Sequence, residues 1–222
     1  MGYIDTATCR AIMGQQGPSA PVIYLIDSPE HPYDASIIEQ PRACTVTTVP
    51  VHNWEEALTP WPAPGLYREE PDFGGKASDT LAELRKSVIP ALEATAGLSP
   101  TARAICGYSL AGLFSLYAFA NCDVFAACGC LSGSVWYEGW IDYLRGIERS
   151  YDGKFAFLSL GTKEKRGGRP IMRTVQDNME TCAQILQDRG CHACLQLTPG
   201  NHLQHVPERL EAGINALDGF LS

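Results

Sequence analysis

Basic residues are scarce in this chain. Seventeen Lys and Arg stand against 25 Asp and Glu, a formal net charge of −8. A chain this acidic makes a poor general binder of polyanions, so nucleic acid is not an expected partner. The sequence does not open on a basic segment followed by an apolar one, and no secretory signal is expected. Internal repeats are lacking, as is a polar linker that would divide the chain. Its 222 residues are read as one domain, 1–222, long enough to bury a sizeable core. Charged residues make up 19% against 45% hydrophobic ones, which excludes disorder over most of the length. Cysteine breaks this pattern of scarcity, with nine present. The number is odd, and the chain is too large for a disulfide-stapled scaffold. Composition therefore predicts a soluble, globular, cytoplasmic protein.

Charge is missing altogether from Ala104 to Cys122, a run long enough to cross a bilayer. The run contains Gly107, Ser109, Gly112 and Asn121, with Arg103 and Asp123 at its ends. A buried strand followed by a buried helix has the same composition, and no membrane partner is expected. Five other runs also read as strands: 22–26, 44–51, 126–131, 155–160 and 193–197. Their near-continuous apolarity suits a parallel sheet covered on both faces. Apolar residues at steps of three and four predict helices through Ala77–Leu92, Met172–Leu186 and Val206–Leu221, with Gly190 stopping the second and Pro207 in the first turn of the third. This alternation predicts an α/β fold with a mainly parallel central sheet and helices on both faces. The segment 52–75 reads as a long loop rich in proline and aromatics, placed near the substrate pocket.

The chemistry-bearing signal lies inside the charge-free run. Gly107-Tyr108-Ser109-Leu110-Ala111-Gly112 follows a strand and opens a helix, the setting of a nucleophile elbow. Small residues two before and two after the serine leave room for a strained turn, and the N–H of Leu110 would face a developing oxyanion. A serine hydroxyl needs a base, which is itself oriented by an acid. His202, on the loop after the last strand, sits at the carboxyl-end rim of the sheet with Ser109, and His205 is the fallback. Glu164, just past the fifth strand, is the favoured acid over Asp177, although Lys163, Lys165, Arg166 and Arg169 surround it. That basic cluster could instead receive an anionic substrate group. Trp61, Trp136 and Trp140 are candidates for the substrate pocket. Cys191-His192-Ala193-Cys194 matches no zinc spacing well, and Cys106, Cys128 and Cys130 read as buried small hydrophobes. No metal is expected.

These segments resemble the α/β-hydrolase esterases of the enterochelin-esterase and esterase D type. The resemblance is carried by Val22 to Asp27, Leu58 to Ala63, Gly107 to Leu113, Leu131 to Trp136, Gly161 to Glu164 and Gly200 to His202. It implies an α/β-hydrolase fold and a serine esterase that works through an acyl-enzyme on a small-molecule ester, with no cofactor. A second oxyanion donor is implied about two residues after Asp27. That position is Pro29, which has no N–H, so Ser28 or Glu30 would have to supply it. Siderophore-esterase relatives tend to be basic where this chain has Trp54-Glu55-Glu56-Ala57. The part before the first clear strand is short, so the N-terminal edge of the sheet is expected to be reduced. Two other readings use the same site: an acyltransferase, or an inactive hydrolase-fold binding protein.

Overall fold

In the computed structural model, which describes residues 2–166 and 168–222, the strands are β1 (Ala11–Ile12), β2 (Val22–Asp27), β3 (Thr45–Pro50), β4 (Pro62–Ala63), β5 (Phe73–Gly74), β6 (Arg103–Tyr108), β7 (Ala127–Leu131), β8 (Phe155–Gly161) and β9 (His192–Thr198). The helices are α1 (Ala35–Ile38), α2 (Trp54–Ala57), α3 (Ala77–Glu83), α4 (Ile89–Ala96), α5 (Leu110–Asn121), α6 (Trp140–Gly146), α7 (Val175–Gln187) and α8 (Val206–Leu221). Seven strands form one sheet in the order β1-β3-β2-β6-β7-β8-β9. Among the described strands of this sheet only β1 runs antiparallel, paired through two residues with β3. The N-terminal edge is thus reduced to a single short strand.

Alternate residues of the strands feed two cores. Val22, Tyr24, Ile26 and Ile105 pack beneath α3 to α7, while Ile23, Leu25, Ala104 and Cys106 pack against α1 and α8. Cys128 and Cys130 share the first of these faces and are fully buried.

The charge-free run divides into most of β6, Ser109 and α5. Every residue from Leu110 to Ala120 is buried, so α5 is apolar all round because both its sides are covered. No helix among the described residues is long and apolar enough to cross a membrane. The Ala77–Leu92 stripe is not one α-helix. A π-turn, Leu84–Val88, joins α3 to α4, because Pro90 has no N–H for the carbonyl four residues back and its ring crowds that carbonyl. Segment 52–75 carries α2 and the antiparallel pair β4–β5, where the sequence reads as a loop.

Chain order reverses between β2 and β6, and a crevice forms outside the carboxyl ends of strands at such a point. The turns after β2, β6, β7, β8 and β9 all open on that edge.

Candidate active site

Ser109 follows directly on β6 with φ 60° and ψ −123°. A non-glycine backbone in this region costs about 1–3 kcal/mol and persists only where the surroundings hold it. Here they do. The Ser109 N–H donates to Leu131 O at 3.0 Å, and its carbonyl accepts from Ser134 N–H at 3.0 Å and Leu113 N–H at 3.1 Å. Gly107 has to be small, since a Cβ there would lie 2.5 Å from Ala111 O. The hydroxyl is thereby lifted onto the crevice edge at the start of α5. As the first residue of that helix, Leu110 has no intrahelical acceptor for its N–H.

His202 stands on the loop after β9. Its Nε2 lies 3.0 Å from Ser109 Oγ, and its Nδ1 lies 2.9 Å from Glu164 Oε2. Tyr108, next to the serine, fixes this loop by donating its hydroxyl to His202 O at 2.7 Å.

Glu164 opens a single 3-10 turn after β8. Its neighbours Lys163, Lys165 and Arg166 point to solvent, while Glu164 turns inward and is buried. Oε1 accepts from Ser132 Oγ at 2.7 Å, from Gly161 N–H at 2.7 Å and from Arg209 Nη1 at 3.3 Å. Burial would push its pKa up, but the hydrogen bond and charge of His202, with the Gly161 and Ser132 donors, hold the carboxyl below its ordinary 4.5.

Arg209, on the first turn of α8, is 1% exposed. Its guanidinium donates to Tyr108 Oη (2.6 Å), Ser132 Oγ (3.1 Å) and Thr198 Oγ1 (2.7 Å), and to the carbonyls of Pro199 (3.2 Å) and Asn201 (3.1 Å). One buried cation therefore ties the Glu164 carboxylate to the loop that carries His202. The sequence reading missed Arg209, Ser132 and Tyr108. A usable signal was present, because Arg209 falls on the apolar stripe Val206-Leu210-Gly213, where an arginine requires buried partners.

The cleft beside Ser109 encloses about 210 Å³. Leu66, Phe73, Trp136 and Met172 form its apolar wall, and Glu55 and Glu70 also line it.

Several expected residues are placed elsewhere. Trp140 is fully buried with its Nε1 donating to Cys182 Sγ at 3.3 Å, so it belongs to the core and not to the pocket. Trp61 donates to Glu138 O at 3.1 Å and packs against Tyr137 and Tyr143, outside the cleft. The Ser28 N–H, expected at the oxyanion, donates to Asp27 Oδ1 at 2.8 Å instead. His205 precedes the first residue of α8 and faces Glu208 at 3.4 Å, and Asp177 is exposed on the first turn of α7. Neither touches Ser109.

Residues 13–202 match the model of the Putative esterase family. The chain belongs to that family. It is 30% identical over 169 residues to the uncharacterized protein YbbA of Bacillus subtilis (strain 168), a match that covers 73% of this chain and 67% of that protein. Among solved structures it is similar to an IroE-like serine hydrolase from Shewanella oneidensis, with a TM-score of 0.78, 20% identity and coverage of 95% of this chain and 75% of that one. It is also similar to the siderophore hydrolase EstA from Aspergillus nidulans, with a TM-score of 0.69, 18% identity and coverage of 100% and 96%. At these identities the structural likeness establishes the α/β-hydrolase fold. The family match ends at His202, so Arg209 lies beyond it.

Proposed function

We propose that the protein is a serine carboxylic-ester hydrolase that forms an acyl-enzyme. The observation that carries this reading is the continuous chain Ser109 Oγ–His202 Nε2 at 3.0 Å and His202 Nδ1–Glu164 Oε2 at 2.9 Å, built on a strained elbow. Ser109 gives its proton to His202 Nε2 as Oγ attacks the ester carbonyl. Leu110 N–H, at the positive end of α5, stabilises the oxyanion. The tetrahedral species collapses as His202 returns the proton to the leaving alkoxide, which departs as the alcohol. Water then gives a proton to His202 and adds to the acyl carbon. Ser109 leaves with that proton, and the product is the carboxylic acid, ionised at neutral pH. Glu164 holds the imidazole tautomer and offsets its transient charge.

Hydrolysis is preferred over acyl transfer because the His202 side chain is 34% exposed, so water reaches the group that must activate it. The aligned Ser, His and Glu argue against an inactive binding protein. The named activity of the Aspergillus nidulans structure supports a siderophore-type ester as one substrate class to assay. Nine free thiols, seven of them buried, support a reducing, cytoplasmic setting.

A fluorophosphonate probe should label Ser109, and Ser109→Ala should lose both the adduct and the hydrolysis of short-chain nitrophenyl esters. Adduct formation elsewhere, or full activity in the alanine variant, would overturn the reading.

A further inference from the structure

We infer that the ester taken by Ser109 carries a cationic group, an alkylammonium or a guanidinium, bound beside Glu55. This rests on the esterase reading and adds the charge of its substrate. The 210 Å³ cleft does not stand alone. A larger cavity of about 530 Å³ adjoins it, lined by Tyr108 next to the serine and by Ser28, Glu30 and Trp54. Glu55 lines both spaces. An ester too long for the cleft would pass this carboxylate on its way into the second cavity.

The charged side chains along that path are acidic: Glu55 and Glu70 line the cleft, and Glu30 and Glu55 line the second cavity. Among the described residues no Lys or Arg lines either, the basic side chains there being His202 in the cleft and His31 in the second cavity. Glu30 is partly spoken for, facing His52 at 2.9 Å and accepting from Ser28 Oγ at 3.1 Å. Glu55 and Glu70 are exposed, and among the described residues neither carboxylate forms an ion pair. Aromatic faces stand with them: Trp54 in the larger cavity, Phe73 and Trp136 in the cleft. Carboxylates without counter-cations, set among aromatic faces, attract a weakly hydrated cation by Coulomb and cation–π interaction together. An anionic group would meet repulsion in the same place.

The basic cluster after β8 does not reverse this. Lys163, Lys165 and Arg166 are exposed and line neither space. Arg169 lines a neighbouring cavity that shares Leu66, Phe73 and Trp136 with the cleft, and its guanidinium is engaged there by donating to Leu66 O. The net charge of −8 adds a general attraction for cations.

The test uses matched esters. One pair of nitrophenyl esters differs in the acyl half, 4-(trimethylammonio)butyrate against 5,5-dimethylhexanoate. A second pair differs in the alcohol half, a choline ester against its 3,3-dimethylbutyl isostere. The cationic member of at least one pair should be favoured about five- to tenfold in kcat/KM at low salt, and less at 0.5 M salt. Glu55→Gln should bring that ratio toward one, whereas Glu180→Gln, on the exposed side of α7, should leave it unchanged. Thermal melts would confirm that both variants fold. No preference or a neutral preference in both pairs, or a cation preference that survives Glu55→Gln and Glu70→Gln together, would overturn the inference. Fluorophosphonate labelling separates this from failure of the parent reading. Labelled Ser109 that butyltrimethylammonium does not protect counts against the cation alone, and an unlabelled Ser109 counts against the esterase.

Discussion

Arg209 and Glu164 meet inside the protein, with guanidinium Nη1 donating to carboxylate Oε1 at 3.3 Å. The other carboxylate oxygen, Oε2, is thereby left to His202 Nδ1. The arginine is a positioning residue in this arrangement, because it faces Ser109 only through other side chains. Arg209→Met leaves a buried carboxylate short of a partner, a loss of about 3 kcal/mol. The melting temperature should fall by roughly 6–12 °C for a chain of this size. Turnover at a temperature where the variant is folded should drop at least about tenfold with KM little changed, and millimolar guanidinium should restore part of it. A variant that melts lower but keeps its kcat would limit Arg209 to holding the fold.

The strain at Ser109 can be measured by comparing two inactive variants. Alanine keeps the β-carbon that the φ of 60° disfavours, and glycine removes it. The relief of about 1–3 kcal/mol outweighs the extra unfolded-state freedom of glycine, about 0.5–1 kcal/mol. Ser109→Gly should therefore melt roughly 2–4 °C above Ser109→Ala. A glycine variant that melts below the alanine variant would mean that the elbow carries no strain.

Acid should weaken the protein through Glu164. Its folded-state pKa is held below 4.5 against burial, so the ionised carboxylate contributes stability that is fully present above pH about 4.5. That contribution fades as pH falls through the lowered value. Melting curves of wild type and Glu164→Gln should lie furthest apart near neutrality and converge toward pH 3. The same substitution should cut kcat strongly, while Asp177→Asn leaves it near wild type.

Seven of the nine cysteines are buried, and burial pushes the Cys106, Cys182 and Cys191 thiols up to about 12. Half-buried Cys9 is pushed up to about 11. The thiolate is the reactive form. At pH 8, iodoacetamide should hardly modify the native protein within an hour, yet modify all nine positions in guanidinium chloride. Fast uptake under native conditions, read by mass spectrometry, would show that the β-sheet core opens.

Much of this architecture can be read from the sequence, and the misses share a cause. Strands β2 and β8 each hold a buried run of four or more apolar residues, which is a local property, whereas β3 is half threonine and the edge strand β9 is largely uncovered. The short elements β1, β4 and β5 span two residues each and exist only because a partner strand lies beside them. Ser109 and His202 are legible because glycines and strand ends punctuate them. Glu164 is legible in position, but its direction is not: the basic neighbours suggest a solvated ion pair, and only Ser132, Gly161 and Arg209 turn it inward. Trp140 and Trp61 face away from the cleft for the same reason, since residue type gives the size of a side chain and tertiary contacts decide which way it points. The Ser28 N–H is not readable from sequence either, because its own neighbour, Asp27, accepts it.

The placement of Arg209 on α8 gives the protein a built-in order of events. Ser109, Glu164 and His202 are all made before residue 209, yet the oxygen of Glu164 opposite His202 gains its guanidinium only when the last helix docks against the sheet. A chain still being synthesised, or one clipped between His202 and Arg209, would hold the three reactive groups without that anchor. Hydrolytic activity would then report that folding is complete.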